Sequence, residues 1–274
     1  MSVSASAKRA EFRRLHESGC FVLPNPWDAG SARALKKLGA KALASTSAGY
    51  AWSIGRPDGG VSLEEMLAHL TALAAATELP LNADFEHAYA DAADTVAANV
   101  TRAVATGVAG LSVEDSTGRA DQPLYAFDLA VARVKAARAA IDAGGTGTLL
   151  SARSEGFFVG VRDLDETIRR LKAYAAAGAD CLYAPSLPDQ AAIAAVVKAV
   201  APKPVNVLVG GPGMKVAELA ALGVRRVSTG GALARAAWGG FMTASRAIME
   251  EGSFQPFASI EPFRNMNAPF KEAN

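Results

Sequence analysis

The chain has 274 residues, half of them apolar, with 28 lysines and arginines against 27 acids. That length and composition fit a soluble globular protein with a sizeable core, and the near-zero net charge argues against a nucleic-acid or membrane-surface partner. No apolar run is long enough to span a bilayer, and none follows the basic residues Lys8, Arg9, Arg13 and Arg14, so the expectation is no secretory signal and a cytoplasmic location.

From the N-terminus, residues 5–18 read as a polar amphipathic helix ended by Gly19. Residues 20–23 form a first apolar strand, stopped by Pro24-Asn25-Pro26, and Asp28 has the N-cap chemistry to start the next helix. Residues 41–46 are the second strand, and 47–60, rich in glycine and small residues, a loop. Ser62 and Glu65 make a capping box for a helix over 62–77. Further strands are expected at 80–85, 110–113, 148–152, 181–183, 204–209 and 225–228, with helices at 91–106, 128–142, 163–177, 188–200, up to 221, and up to about 250. Cys20 and Cys181 lie in apolar strand-like runs and are expected as buried free thiols.

Eight strands each followed by a helix imply a parallel sheet closed into a (β/α)8 barrel, the TIM-type α/β fold. A doubly wound open sheet usually has fewer units. No linker divides the chain, so residues 1–252 are expected as one barrel domain. The tail, 253–274, carries Phe254, Phe257, Phe263 and Phe270, an aromatic content that suggests docking on this subunit or a neighbour.

Active sites of such barrels lie at the C-terminal ends of the strands. Asp84 and Glu86 end the third strand two residues apart, so in extended chain they point the same way and repel unless a cation lies between them. Asp58 in the second βα loop, Glu114 after the fourth strand, Arg153 and Glu155 after the fifth, and Asn206 on the seventh fall at the same level. Oxygen donors in this number suit Mg²⁺, or Mn²⁺, together with a small carboxylate substrate. Asp115 should face the opposite way from Glu114. His87 is read as an ion-pair partner of the acids. Tyr50 is placed by its loop either at the site, with a catalytic role, or in packing. Gly210-Gly211 and Gly230-Gly231 leave open a phosphate-substrate barrel enzyme.

Five segments in register, Ser45-Thr46-Ser47-Ala48-Gly49, Gly55-Arg56-Pro57-Asp58, Asp84-Phe85-Glu86, Val113-Glu114-Asp115 and Ala152-Arg153-Ser154-Glu155, resemble the isocitrate lyase/phosphoenolpyruvate mutase superfamily. Pro24-Asn25-Pro26-Trp27-Asp28 and Asn206 fit the same pattern, and the resemblance spans roughly residues 15–250. It implies a barrel with its last helix swapped between subunits of a homodimer or homotetramer, Mg²⁺ binding, and chemistry through a pyruvate-like enolate. It also implies that Asp84 holds Mg²⁺, with Asp58, Glu86 and Glu114 binding it directly or through waters. The stretch around Ser45, Thr46, Ser47, Ala48 and Gly49 would hold a substrate carboxylate, and Arg153 would pair with a carboxylate or enolate oxygen. The chain departs from the pattern in the gating loop, 116–125, which has neither the cysteine nor the lysine of isocitrate lyases. Arg119 and Tyr125 are the loop groups left to meet a substrate or a proton. The expected activity is a Mg²⁺-dependent carbon–carbon lyase or decarboxylase acting on a small 2-oxo or 2-hydroxy acid, a di- or tricarboxylate. The alternative is a 2-oxo-acid-binding protein that has lost its proton donor.

Overall fold

The eight expected strands are present in a computed structural model that describes residues 3–270. They are β1 (Phe21–Leu23), β2 (Leu43–Ala44), β3 (Leu81–Asp84), β4 (Gly110–Glu114), β5 (Leu149–Arg153), β6 (Cys181–Tyr183), β7 (Val205–Leu208) and β8 (Arg226–Ser228). All pair in parallel in the order β1-β8-β7-β6-β5-β4-β3-β2. The remaining seam is bridged where the Ala44 N–H donates to the Pro24 carbonyl at 3.1 Å, giving a nearly closed (β/α)8 barrel.

The helices are α1 (Ala5–Leu15), α2 (Ala29–Lys37), α3 (Ser47–Ser53), α4 (Leu63–Ala76), α5 (Ala93–Ala105), α6 (Phe127–Ala143), α7 (Leu164–Ala176), α8 (Gln190–Val200), α9 (Val216–Ala221), α10 (Ala232–Glu251) and α11 (Phe263–Asn267). Their starts follow side-chain caps: Asp28 accepts from the Ser31 N–H, Ser62 and Glu65 form the expected capping box, and Asp163 and Asp189 cap α7 and α8. The segment expected as a loop after β2 instead begins with α3. Thr46 caps it by accepting from the Gly49 N–H at 3.2 Å, and the small residues that suggested a loop let the helix pack closely. A Cβ on Gly49 would lie 2.7 Å from Thr46 and 3.0 Å from Trp27.

One apolar core lies between the strands and the outer helices, and a second, around Phe12, Phe21, Leu23 and Leu149, plugs the N-terminal end of the barrel beneath α1. Lys8 fixes α1 there by donating to the Ala74 and Thr77 carbonyls, both at 2.6 Å. The barrel interior departs from the usual filling of branched apolar residues. Asn82, Ser112, Ser151, Asn206, Arg226 and Ser228 are all buried in it.

At the other extreme stands α10. Of its twenty residues only Ala234 is buried, and Trp238, Phe241, Met242 and Met249 are exposed. Phe254, Phe257 and Ile260 in the tail are exposed too, while the turn Ala268–Phe270 lies near α2. The last four tail residues, 271–274, and the Phe263 side chain lie outside the described residues. Among the described residues no helix is long and apolar enough to cross a membrane.

Candidate active site

A cavity of about 550 Å³ opens at the C-terminal ends of the strands and runs down into the polar interior. Asp58, Asp84, Glu86, Glu114 and Glu155 line it, with Arg153 and Arg226 as its cations. Strand geometry accounts for the convergence. Asp84, Glu114 and Arg153 are the last residues of β3, β4 and β5, and the register pairs Glu114 directly with Arg153.

Arg153 is the hub. Its Nη1 lies 2.7 Å from Asp84 Oδ1 and 3.2 Å from Glu114 Oε2, and its Nε donates to Glu155 Oε1 at 2.7 Å. The guanidinium also sits 4.8 Å from the centroid of the Tyr183 ring. Burial opposes its charge, but Glu155, Glu114 and Asp84 hold its pKa well above the ordinary value. The second Asp84 oxygen accepts from both the amide and the hydroxyl of Ser47, each at 3.0 Å. Ser45, fully buried, fixes the backbone of β3 by accepting from the Asp84 N–H at 2.8 Å. The segment expected to hold a substrate carboxylate thus positions an acid first.

Glu86 reaches the rim through strained backbone. Its φ is 47°, and Ala88 and Tyr89 are also in the left-handed region, which costs non-glycine residues on the order of 1–3 kcal/mol each. The turn is held by Arg133 from α6, which donates to the carbonyls of His87, Ala90 and Asp91, and by Asn99, which donates to the Ala88 carbonyl at 2.9 Å. Burial and then the charge of Asp84 push the Glu86 carboxyl up to about 7, opposed by the Tyr89 hydroxyl donating to it at 3.0 Å. The same two causes raise Asp58, and burial raises Glu114 well above the carboxylate range. His87 lines the mouth, its pKa lowered by burial and then by the charge of Arg133.

Among the described residues no three acids, histidines or cysteines are grouped to ligate one ion directly. Arg153 draws Asp84, Glu114 and Glu155 to itself, so Asp58, Asp84, Glu86 and Glu114 share a cavity without sharing one coordination sphere. The donor set still fits Mg²⁺, an ion that keeps several waters and takes one or two carboxylates. The donors are all oxygen, and mutual repulsion among these acids favours a cation.

Three expected site residues stand elsewhere. Tyr50 does not line the cavity and stacks on His69, centroids 3.8 Å apart and planes 10° apart, so packing is its observed role. Arg119 turns outward to Asp91 at 3.1 Å, where Tyr125 also bonds. Gly49 is covered by Thr46, Trp27 and Ala234. Asn206 is present but deep, accepting from Arg226 Nε at 2.8 Å and donating to Ser228 at 2.9 Å. Asp115 faces the helices as alternation requires, accepting from Tyr174, Arg170 and the Glu155 amide. Cys181 is buried, Cys20 is half-buried, and neither lines the cavity. The two glycine pairs open on different cavities, and the Thr229 and Gly230 amides already donate to Asn25 Oδ1, each at 2.9 Å.

The Tyr50–His69 stack carries a pH test. Among the described residues His69 Nε2 is buried without a partner, and burial lowers the ring's pKa to about 4 from 6.5. Between those values the unfolded chain binds a proton that the folded one does not, so this residue withdraws stability as pH falls below 6.5. His69→Phe is expected to gain stability over the parent at pH 5, by about 2 kcal/mol more than at pH 8. Paired denaturant melts at the two pH values check this, and equal differences would refute it.

The profile of the phosphoenolpyruvate phosphomutase family matches residues 12–249. A crystal structure from Burkholderia cenocepacia J2315, carrying a provisional lyase/mutase description, is 48% identical, covers 97% of each chain and superposes with a TM-score of 0.94. The structure of an oxaloacetate acetylhydrolase in complex with the product oxalate is 27% identical, covering 96% of this chain and 94% of its own, with a TM-score of 0.84. An oxaloacetate decarboxylase from Paraburkholderia xenovorans (strain LB400) is 30% identical over 222 residues, 78% of this chain and 71% of that relative.

Proposed function

The chain belongs to the phosphoenolpyruvate phosphomutase family, and from that premise we propose that it is a Mg²⁺-dependent carbon–carbon lyase or decarboxylase acting on a small 2-oxo or 2-hydroxy carboxylic acid. The observation that carries this reading is the cluster in which Arg153 bridges Asp84, Glu114 and Glu155 at the mouth of the barrel. Relatives named for reactions of oxaloacetate, a 2-oxo acid, support the substrate class.

In this reading Asp84 would hold Mg²⁺, with Asp58, Glu86 and Glu114 binding it directly or through waters. The ion supplies Lewis acidity toward the keto and carboxylate oxygens of the substrate. With a 2-oxo acid, the electron pair of the breaking carbon–carbon bond would pass toward the keto oxygen, and a proton would replace the departing group on carbon. Arg153, locked by Glu155 and stacked on Tyr183, presents a fixed positive charge to that growing negative charge, so no reorganisation is needed at the moment of reaction. The 116–126 loop brings Ser116, Thr117 and Gly118 to the mouth, and no thiol lines the cavity, so the replacing proton comes from a group other than cysteine. A panel of 2-oxo and 2-hydroxy acids, assayed for pyruvate, glyoxylate or CO₂ with and without Mg²⁺, tests the proposal. Metal-dependent release from one of them is expected. Binding without turnover across the panel would favour a 2-oxo-acid-binding protein instead.

The proposal extends to assembly in the cytoplasm. The barrel, 1–252, is taken to pair through the apolar face of α10 and through the tail, 253–274, as a homodimer or homotetramer. The uncovered Trp238, Phe241 and Phe254 support this. Light scattering at micromolar concentration is expected to report an oligomer, and a monomer would count against the pairing.

A further inference from the structure

Two guanidiniums line the cavity, and only one is matched by carboxylates. Arg153 touches three. Arg226, on β8 and 2% exposed, touches none among the described residues. Its Nε donates to Asn206 Oδ1 at 2.8 Å, its Nη2 to Ser151 Oγ at 3.1 Å, and its Nη1 to Asn82 Oδ1 at 3.3 Å. The same Nη1 lies 3.4 Å from His16 Nε2. Burial and then the charge of Arg226 lower the pKa of that imidazole to about 3, so it is neutral; its Nδ1 faces the Phe12 carbonyl at 2.7 Å and carries the one proton, which leaves Nε2 as an acceptor. Every partner of Arg226 is therefore uncharged, and two of the contacts are long. Burying a guanidinium without an anion is costly, and barrel interiors are ordinarily filled with apolar side chains.

The cavity reaches this arginine. On β3, Asn82, which Arg226 contacts, precedes Asp84, which Arg153 contacts, by two residues. Both side chains point inward, and two residues of strand advance the chain about 7 Å, somewhat less along a tilted barrel axis. With carbon–carbon bonds of about 1.5 Å, an extended diacid of about four or five carbons covers that depth from one set of carboxylate oxygens to the other.

We infer that Arg226, with Asn206 beside it, receives a second, distal carboxylate of the substrate, so that the acid processed at the rim is a dicarboxylate. This rests on the 2-oxo or 2-hydroxy acid reading above and adds the group that selects among such acids.

The test uses the full-length protein with Mg²⁺ and ligand pairs that differ in the distal group alone. These are malate against 2-hydroxybutyrate and 2-oxoglutarate against 2-oxopentanoate, titrated calorimetrically with oxalate as the short reference. The parent is expected to prefer the diacid of at least one pair by about tenfold or more. Arg226→Gln, which keeps hydrogen bonding and removes the charge, is expected to bring that ratio close to unity. Asn206→Asp supplies an internal counter-charge while keeping the arginine in place, so it should abolish the preference too and decides the matter if the glutamine variant does not fold. Parent protein that binds oxalate but does not discriminate overturns the inference alone. So does a folded variant that keeps the ratio, since Arg226 then only ties β8 to its neighbours. A parent that binds neither oxalate nor any member of the pairs overturns the 2-oxo acid reading, and this inference with it.

Discussion

Asp84→Asn is expected to lower turnover by about a thousandfold and to abolish Mg²⁺ binding while leaving the barrel folded. The side chain is fixed from three directions, by Arg153 on one oxygen and by the Ser47 amide and hydroxyl on the other. Asparagine keeps the shape but must turn its amide nitrogen toward one of these donors, which costs about 1–3 kcal/mol. Removing the charge works in the opposite sense, because Asp84 is a cause of the raised values at Asp58 and Glu86. The melting temperature should therefore move by only a few degrees, so lost activity cannot be put down to unfolding. Calorimetric Mg²⁺ titration and a thermal melt check both halves, and a folded variant with parental turnover would remove Asp84 from the chemistry.

Arg153→Lys has the second large effect. Arginine satisfies Asp84, Glu114 and Glu155 with one rigid fork. A lysine ammonium has no such fork and cannot reproduce the bidentate geometry. The charge survives, so the fold and Mg²⁺ binding are expected to survive. Binding of 2-oxo acids should weaken by more than about tenfold and turnover should fall by roughly a hundredfold or more. Arg153→Met is a harsher change. It leaves buried carboxylates without their cation, which should cost about 3–5 kcal/mol of stability. A lysine variant with parental oxalate affinity and kcat would make Arg153 structural only.

Strand alternation told much of this in advance. Asp84 and Glu114 face the cavity and Asp115 faces the helices because side chains alternate along β3 and β4, a period that a single sequence displays. The capping residues placed the helix starts for a similar reason, since an N-cap is local chemistry. What escaped the sequence was set by distant partners. Tyr50 lies close to Ser47 in sequence, but α3 turns it away from the cavity and onto His69 of α4. Arg119 is held outward by Asp91, twenty-eight residues earlier. The left-handed turn at Glu86 depends on Arg133, which no local pattern announces. Arg226 was missed although its signal was present: in the strand Arg226-Val227-Ser228, alternation puts the arginine on the same inward face as Ser228, where charge is rare.

The most direct test is oxalate binding to the parent and to Asp84→Asn, each in Mg²⁺ and in EDTA. Oxalate chelates through two adjacent oxygens, as a 2-oxo acid does, and cannot be turned over as a lyase substrate. The account predicts that the parent binds oxalate at least about tenfold more tightly in Mg²⁺ than in EDTA and that the variant shows no such difference. Equal oxalate affinity of the parent in Mg²⁺ and in EDTA would contradict it.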